Sequence, residues 1–302
     1  MSGLPNPTHR WAAVASCAAG VALFSCMDVL MKHLSIEIGA YSALIWRSMV
    51  ASTVSGGIML GSRGTWPTPA VLRLHILRGV IIAGMAWLFF WALARLPLAE
   101  AIALSFIAPI IALFLAALML GERIRPSAIL AALLGLVGTA IILSGRLSGA
   151  YDSNALWGAA AVLVSAVLFA WNLILQRRQA QVARPVEISF FQSIIVLCTL
   201  LPAAPFLLQP AAPVDWIAIA TAAILAISSQ MCLSWAYARA QAQTLIPLEY
   251  SAFFWGALFG WLVFAEPLTL PTLLGTALII FGCLLIARDS PAAGPRLENE
   301  VA

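Results

Sequence analysis

Four charged side chains stand where charge is costly: Asp28, Arg47, Glu100 and Glu249 each fall inside a long apolar stretch. If such a stretch crosses a bilayer, a charge near its centre costs roughly 2.5–3.5 kcal/mol on insertion scales. It must therefore pair, face water or act on a solute. Asp28 lies toward the end of the first stretch, and Arg47 about two turns into the second from the same side. Together they can pin two helices as an ion pair or bind the two ends of a zwitterion, and the sequence leaves both readings open. Glu100 opens the fourth stretch and Glu249 the ninth. Each is a candidate to close one gate or carry a coupling proton, or is a carboxylate at a wet interface.

Uncharged polar residues come next. Asn172, Gln192 and Gln230 sit within apolar stretches. A carboxamide both donates and accepts, which suits recognition of a carboxylate or an amine. The alternative is a hydrogen bond between helices, worth about 0.6 kcal/mol on average. Trp91, Trp235 and Tyr250 add rings that can hold an apolar group or cradle a cation, although core packing is the commoner fate of a ring. The expected substrate-binding set is therefore Asp28, Arg47, Trp91, Asn172, Gln192, Gln230, Trp235 and Tyr250. Glu100 and Glu249 are the expected gating or proton-coupling pair.

Other chemistry is excluded by what the sequence lacks. It has no phosphate-binding Walker loop, G-x-S-x-G, H-E-x-x-H or dinucleotide fingerprint. An enzyme, an ATP-driven mechanism and a cofactor are not expected. The five cysteines form no C-x-x-C pair and read as small buried hydrophobes, so no metal is expected. His9, His33 and His75 read as loop or helix-end residues without a catalytic role.

The elements that must position these residues follow from composition. Of 302 residues 63% are hydrophobic and only 9% charged. A soluble domain would carry roughly a quarter charged residues, so the bilayer must be part of the solvent. A spanning helix needs about 20 mostly apolar residues. Ten such stretches are present: 11–30, 41–60, 77–94, 99–120, 127–143, 156–175, 188–208, 216–236, 245–264 and 270–286. The first is too long for a cleavable signal and reads as a retained helix. The net charge of +4 sits in short connecting loops, so a nucleic-acid partner is not expected.

An internal repeat orders the ten stretches. Trp91-Ala-Leu-Ala-Arg95 matches Trp235-Ala-Tyr-Ala-Arg239 at an offset of 144, and the same offset pairs Phe106 with Tyr250, Glu122 with Glu266 and Gly138 with Gly282. Arg47-Ser48 aligns with Gln192-Ser193 at 145, and Trp11 with Trp157 at 146. Gln192 thus stands where the other half has Arg47, so two sides of a shared cavity would differ in charge. Residues 1–150 and 151–288 form the two halves, and 289–302 a disordered tail. Five helices per half invert the second copy across the membrane, the symmetry with which secondary transporters expose one site alternately to each side. Gly57-x-x-x-Gly61 and Gly256-x-x-x-Gly260 allow close helix approach and leave a homodimer open.

The stretch Leu96-Pro-Leu-Ala-Glu-Ala-Ile-Ala-Leu-Ser-Phe-Ile-Ala-Pro109, followed by Leu120-Gly-Glu-Arg123 and later by Phe264-Ala-Glu-Pro267, resembles the drug/metabolite transporter superfamily in its EamA-type branch. The resemblance runs from Trp11 to Arg288. It implies a ten-helix fold with a central cavity between inverted repeats. Its members move amino acids and their derivatives, nucleosides, vitamins or amino-acid-derived metal chelators, and many are exporters. Glu122 and Glu266 match a family motif read as structural. The expected function is a secondary transporter that exports a small amino-acid-like solute from a bacterium across its inner membrane. Alternatives are an importer of a vitamin, a nucleoside or an S-adenosylmethionine-like metabolite, and a membrane sensor or scaffold. The sensor is disfavoured because no sizeable soluble segment is present.

Orientation follows from Lys and Arg in the loops. With the N-terminus inside, Arg10, Arg63, Arg73, Arg78, Arg123, Arg125, Arg177, Arg178, Arg184, Arg239, Arg288 and Arg296 are cytoplasmic, and only Lys32, Arg95 and Arg146 are outside. Both termini are then cytoplasmic. A phosphatase active only outside the cytoplasm should stay silent when fused at either terminus and become active when inserted after Lys32. The reverse pattern would overturn the orientation.

Overall fold

The computed structural model describes residues 7–62, 66–108, 110–111, 114–115, 126–147, 153–239, 245, 248 and 251–289. Among them the regular structure is helical. The first half gives α1 (Pro7–Leu34), α2 (Ala40–Gly61), α3 (Pro69–Leu93), α4 (Leu98–Ser105) and α5 (Pro126–Leu147). The second gives α6 (Ser153–Val182), α7 (Pro185–Leu200), a short α8 (Ala204–Leu207), α9 (Asp215–Tyr237), α10 (Ser251–Phe264) and α11 (Leu270–Asp289).

Local chemistry sets the boundaries. Between α1 and α2 a π-helical turn, Ser35–Gly39, ends on Gly39 at φ 80°, a conformation that costs glycine little. The chain reverses here: Arg47 Nη1 meets Met27 Sδ at 3.3 Å, whereas a straight helix would hold them roughly 30 Å apart. Helix α3 starts at Pro69, behind a Thr68 cap whose hydroxyl accepts from the Val71 amide. That start lies well before the expected Leu77 and brings Arg73 and His75 into the helix. The expected run 188–208 breaks at Leu201–Ala203, where Pro202 cannot continue the α-helical ladder.

The distribution of side chains is inverted relative to a soluble protein. Leu60 is 81% exposed and Phe206 87%, while Arg78 is 1% exposed. The outer face is lipid-compatible and the polar groups are inside. Among the described residues five apolar stretches are long enough to cross a bilayer, the first folding back on itself as the α1–α2 hairpin. The chain is a multi-pass membrane protein. The described parts of α4 and α10 are shorter than a span needs, and much of the expected runs 99–120 and 245–264 lies outside the described residues.

The repeat organises the packing. Match α1 with α6, α2 with α7, α3 with α9, α4 with α10 and α5 with α11. The pairing of α1 with α9 then maps onto that of α6 with α3, and α2 with α9 onto α7 with α3. The pairs α2–α7, α4–α10 and α5–α11 map onto themselves. Chain directions agree. Ser165 Oγ donates to the Met85 carbonyl while Arg78 reaches Asn172, so α6 runs against α3. Lys32 Nζ donates to the Leu96 carbonyl at 2.7 Å, so α1 and α3 finish at the same end. Helix α6 therefore runs opposite to its counterpart α1.

At the α5–α11 crossing Gly138 and Gly275 touch backbone to backbone. A Cβ on Gly138 would lie 2.6 Å from the Gly275 oxygen and 2.7 Å from Ile279. A Cβ on Gly275 would meet the Gly138 oxygen and lie 2.5 Å from Ile142. Neither position has room for a side chain. The other glycine pair behaves differently. Gly256 and Gly260 on α10 pack against Ile102 and Leu98 of α4, and Gly57 and Gly61 have open space before them.

Replacing Gly138 by Leu should destabilise the purified protein by about 1–3 kcal/mol, the usual cost of overpacking. Thermal melts in detergent test this, with Gly57→Leu as the control expected to melt like wild type.

Candidate functional site

A cavity of about 220 Å³ lies between the two halves. Helices α1, α2, α3 and α4 contribute Phe24, Asp28, Arg47, Arg78, Phe89, Phe90 and Ser105, and α6, α7 and α9 contribute Phe169, Asn172, Gln176, Gln192 and Gln230. The wall is thus largely apolar and aromatic with a few polar heads, the usual make-up of a small-molecule site.

Asp28 and Arg47 face this space as the sequence reading expects, and they form no ion pair. Asp28 is 4% exposed and Arg47 9%. The carboxylate oxygen Oδ1 of Asp28 and the Nε of Arg47 have no hydrogen-bond partner. Arg47 is held by its flanks instead: Nη1 against Met27 Sδ, and the guanidinium 5.5 Å over the Phe90 ring. Gln192 Oε1 is also unpartnered. Gln230 donates to Ser234 Oγ at 2.7 Å, so its carboxamide oxygen is oriented by its own helix.

Asn172 lines the cavity in the grip of Arg78, which the sequence reading counts among the cytoplasmic charges at the start of the third stretch. Arg78 Nε donates to Asn172 Oδ1 at 2.9 Å, Nη1 to Gln179 Oε1 at 2.5 Å and Nη2 to Gln176 Oε1 at 3.2 Å. The chain of bonds continues: Gln179 Nε2 meets His75 Nδ1 at 2.5 Å, and His75 Nε2 meets Glu187 Oε1 at 3.0 Å. A neutral imidazole protonated at Nε2 satisfies both contacts. His75 is buried, not in a loop, and its ring stacks on Phe191. The signal that locates His75 is the Thr68-Pro69 helix start, which places it on α3.

The other expected residues are placed as follows. Trp91 and Trp235 do not line the cavity. Arg95 stacks on Trp91 at 3.5 Å and donates to its carbonyl, and Arg239 stacks on Trp235 at 4.2 Å and does the same. The repeated Trp-Ala-x-Ala-Arg motif is thus a helix-end clamp with i,i+4 spacing. Glu100 is buried but outside the cavity wall. Glu249 and Tyr250 lie outside the described residues.

An ion pair joins the end of α1 to the chain entering α11. Lys32 Nζ pairs with Glu266 Oε1 and donates to the Leu96 carbonyl, while Glu266 Oε2 accepts from the Leu98 amide. Lys32 is thus inside the fold rather than in an outer loop. One ion pair ties α1, the start of α4 and the chain entering α11, and the Phe264 ring lies 4.9 Å from the ammonium. Among the described residues no cluster of metal-ligand type occurs.

The comparisons with known proteins agree with this geometry. The EamA-like transporter family matches residues 11–144 and again residues 156–288. A pseudopaline exporter of Pseudomonas aeruginosa is 27% identical over 273 residues, covering 88% of this chain and 92% of that protein. A riboflavin transporter of Brucella anthropi is 25% identical over 287 residues, covering 91% and 97%. An aromatic amino acid exporter of Ancylobacter novellus is 29% identical over 175 residues, covering 56% and 58%. One solved crystal structure superposes with a TM-score of 0.64 at 20% identity, over 93% of this chain and 100% of that one.

Removing one member of this part-buried pair takes away its partner's counter-charge and is destabilising. Lys32→Met and Glu266→Gln should each lower the melting temperature, and the double variant should melt above either single one. Equal melting of both single variants and wild type would show that the pair does not hold these elements together.

Proposed function

We propose that this chain, which belongs to the EamA-like transporter family, is a secondary transporter that exports an amino acid or amino-acid-derived solute across the bacterial inner membrane. It does so by alternating access, with ten transmembrane helices in two inverted repeats and both termini cytoplasmic. The observation that carries the reading is the pair Asp28 and Arg47. Both are buried, both face one cavity, and each keeps an unpartnered polar atom. A buried charge without a partner is expensive unless a ligand completes it. A zwitterion supplies an ammonium for Asp28 and a carboxylate for Arg47. Gln192 and Gln230 offer further oxygens and amides, and the phenylalanines accept an apolar side chain. An exporter of pseudopaline and an exporter of aromatic amino acids among the relatives support the same substrate class.

Glu100, Glu249 and Tyr250 stay as proposed gating, proton-coupling and substrate-contacting residues. The Lys32–Glu266 lock holds one gate closed while the opposite end of the cavity exchanges solute. A second reading, import of a vitamin, is favoured by the aromatic wall together with the riboflavin transporters among the relatives. A flat conjugated ring would stack there without needing the Asp28–Arg47 pair.

Uptake and efflux of labelled amino acids and derivatives in proteoliposomes, with and without a pH gradient, test the proposal. Saturable flux is expected in wild type, with a loss of at least tenfold in Asp28→Asn and Arg47→Ala at equal insertion. Flux of flavins that survives both substitutions would replace it with the second reading. Amino-acid flux that survives both would make the pair a helix pin.

A further inference from the structure

The Asp28–Arg47 pair does not account for the strongest charge in the cavity wall. Arg78 is 1% exposed and lines the cavity. A guanidinium keeps its charge at any physiological pH, and burying it without a counter-charge is costly. Yet its three protein partners, Asn172, Gln176 and Gln179, are neutral carboxamides. It belongs to neither ion pair found among the described residues. The nearby carboxylate that joins this network, Glu187, is reached only through His75 and Gln179.

The donor arithmetic points the same way. Of a guanidinium's five N–H groups, three are used by the carboxamides, one on each nitrogen. One N–H on each terminal nitrogen remains, and two terminal nitrogens can grip a carboxylate or phosphate end-on. The carboxamides orient the fork without neutralising it. The wall also holds Arg47 and one carboxylate, Asp28. It is net positive whichever way Asp28 titrates.

We propose that Arg78, with its cage of Asn172, Gln176 and Gln179, is a second anion subsite, and that the transported solute carries two acidic groups alongside its amino group. This rests on the transport reading above and narrows it, since a simple neutral amino acid leaves Arg78 unmatched. Arg47 and Asp28 on α2 and α1 take the amino-acid end. Arg78 on α3 takes the distal carboxylate or an equivalent acid. Solutes in which a second carboxylate is amidated or esterified are rejected, because the amide puts a further neutral group where the site needs charge.

The test uses the full-length protein in proteoliposomes. Aspartate, glutamate, 2-aminoadipate and 2-aminopimelate each compete against their own ω-amides for saturable flux, and the same ligands are ranked by thermal stabilisation in detergent. Wild type should prefer at least one diacid over its amide by about tenfold or more, as for a hydrogen bond to a charged group. Arg78→Gln should bring the affinity of that diacid down to that of its amide, and Arg78→Lys should keep part of the difference. Asn172→Asp guards against a folding artefact. It keeps Arg78 and gives it an internal ion pair, and it should abolish the preference just as Arg78→Gln does. Arg47→Ala should weaken diacid and amide alike. A diacid preference that survives Arg78→Gln or Asn172→Asp would overturn the proposal, as would a wild type that binds no diacid. Saturable flux of neutral amino acids in that last case would leave the transport reading standing.

Discussion

Withdrawal of polar groups from both water and lipid governs this molecule. With lipid outside and little water inside, each buried donor or acceptor needs a partner from the chain or from a ligand. The chain meets that demand with unusual thoroughness at its cores. Ser16, Ser165 and Ser229 each donate to a backbone carbonyl on a neighbouring helix. Lys32 and Glu266 satisfy each other and two backbone groups besides. The exceptions are concentrated. Among the described residues five side chains keep a buried, unpartnered polar atom; those of Asp28, Arg47 and Gln192 line the central cavity, while Ser35 and Thr139 lie elsewhere. In the transport reading proposed above, a solute would be the remaining partner where the packing stops satisfying its own polar atoms.

Much of this was legible in the sequence. The apolar stretches locate α1, α2, α5, α9 and α11 closely, because continuous hydrophobicity is what membrane insertion selects. Asp28, Arg47, Asn172, Gln192 and Gln230 were visible because polarity inside such a stretch is conspicuous. Helix α3 was not, because Arg73, His75 and Arg78 look like the end of a membrane segment. A hydropathy reading cannot tell a charge in a loop from a charge inside a bundle. The Thr68 cap carries that distinction, and it is a local signal that outranks hydropathy here. Trp91 and Trp235 lie away from this cavity's wall for a different reason. Their neighbours Arg95 and Arg239 lie one helical turn away, and i,i+4 stacking consumes the rings before a cavity can use them.

The repeat is exact where packing demands it and broken where recognition occurs. The Trp–Arg clamps are duplicated almost atom for atom, and the helix pairings map onto one another when the halves are exchanged. The polar lining does not follow. Arg47 has Gln192 as its counterpart, and Arg78, from the first half, is held by carboxamides from the second. A two-fold scaffold gives two equivalent doors, while a solute with distinguishable ends requires an asymmetric room between them.

The fixed charge on the cavity wall has an electrical consequence. Moving one elementary charge across a membrane potential is worth about 2.3 kcal/mol per 100 mV. Any rearrangement that carries the guanidinium of Arg78 part of the way through the field does work in proportion to the distance travelled. The resting voltage therefore biases which way the empty protein faces. An anionic cargo seated against the wall offsets that charge, so the loaded and empty proteins respond differently to the same voltage. In the alternating-access cycle proposed above, this arginine would link the energised state of the cell to the direction in which the carrier resets.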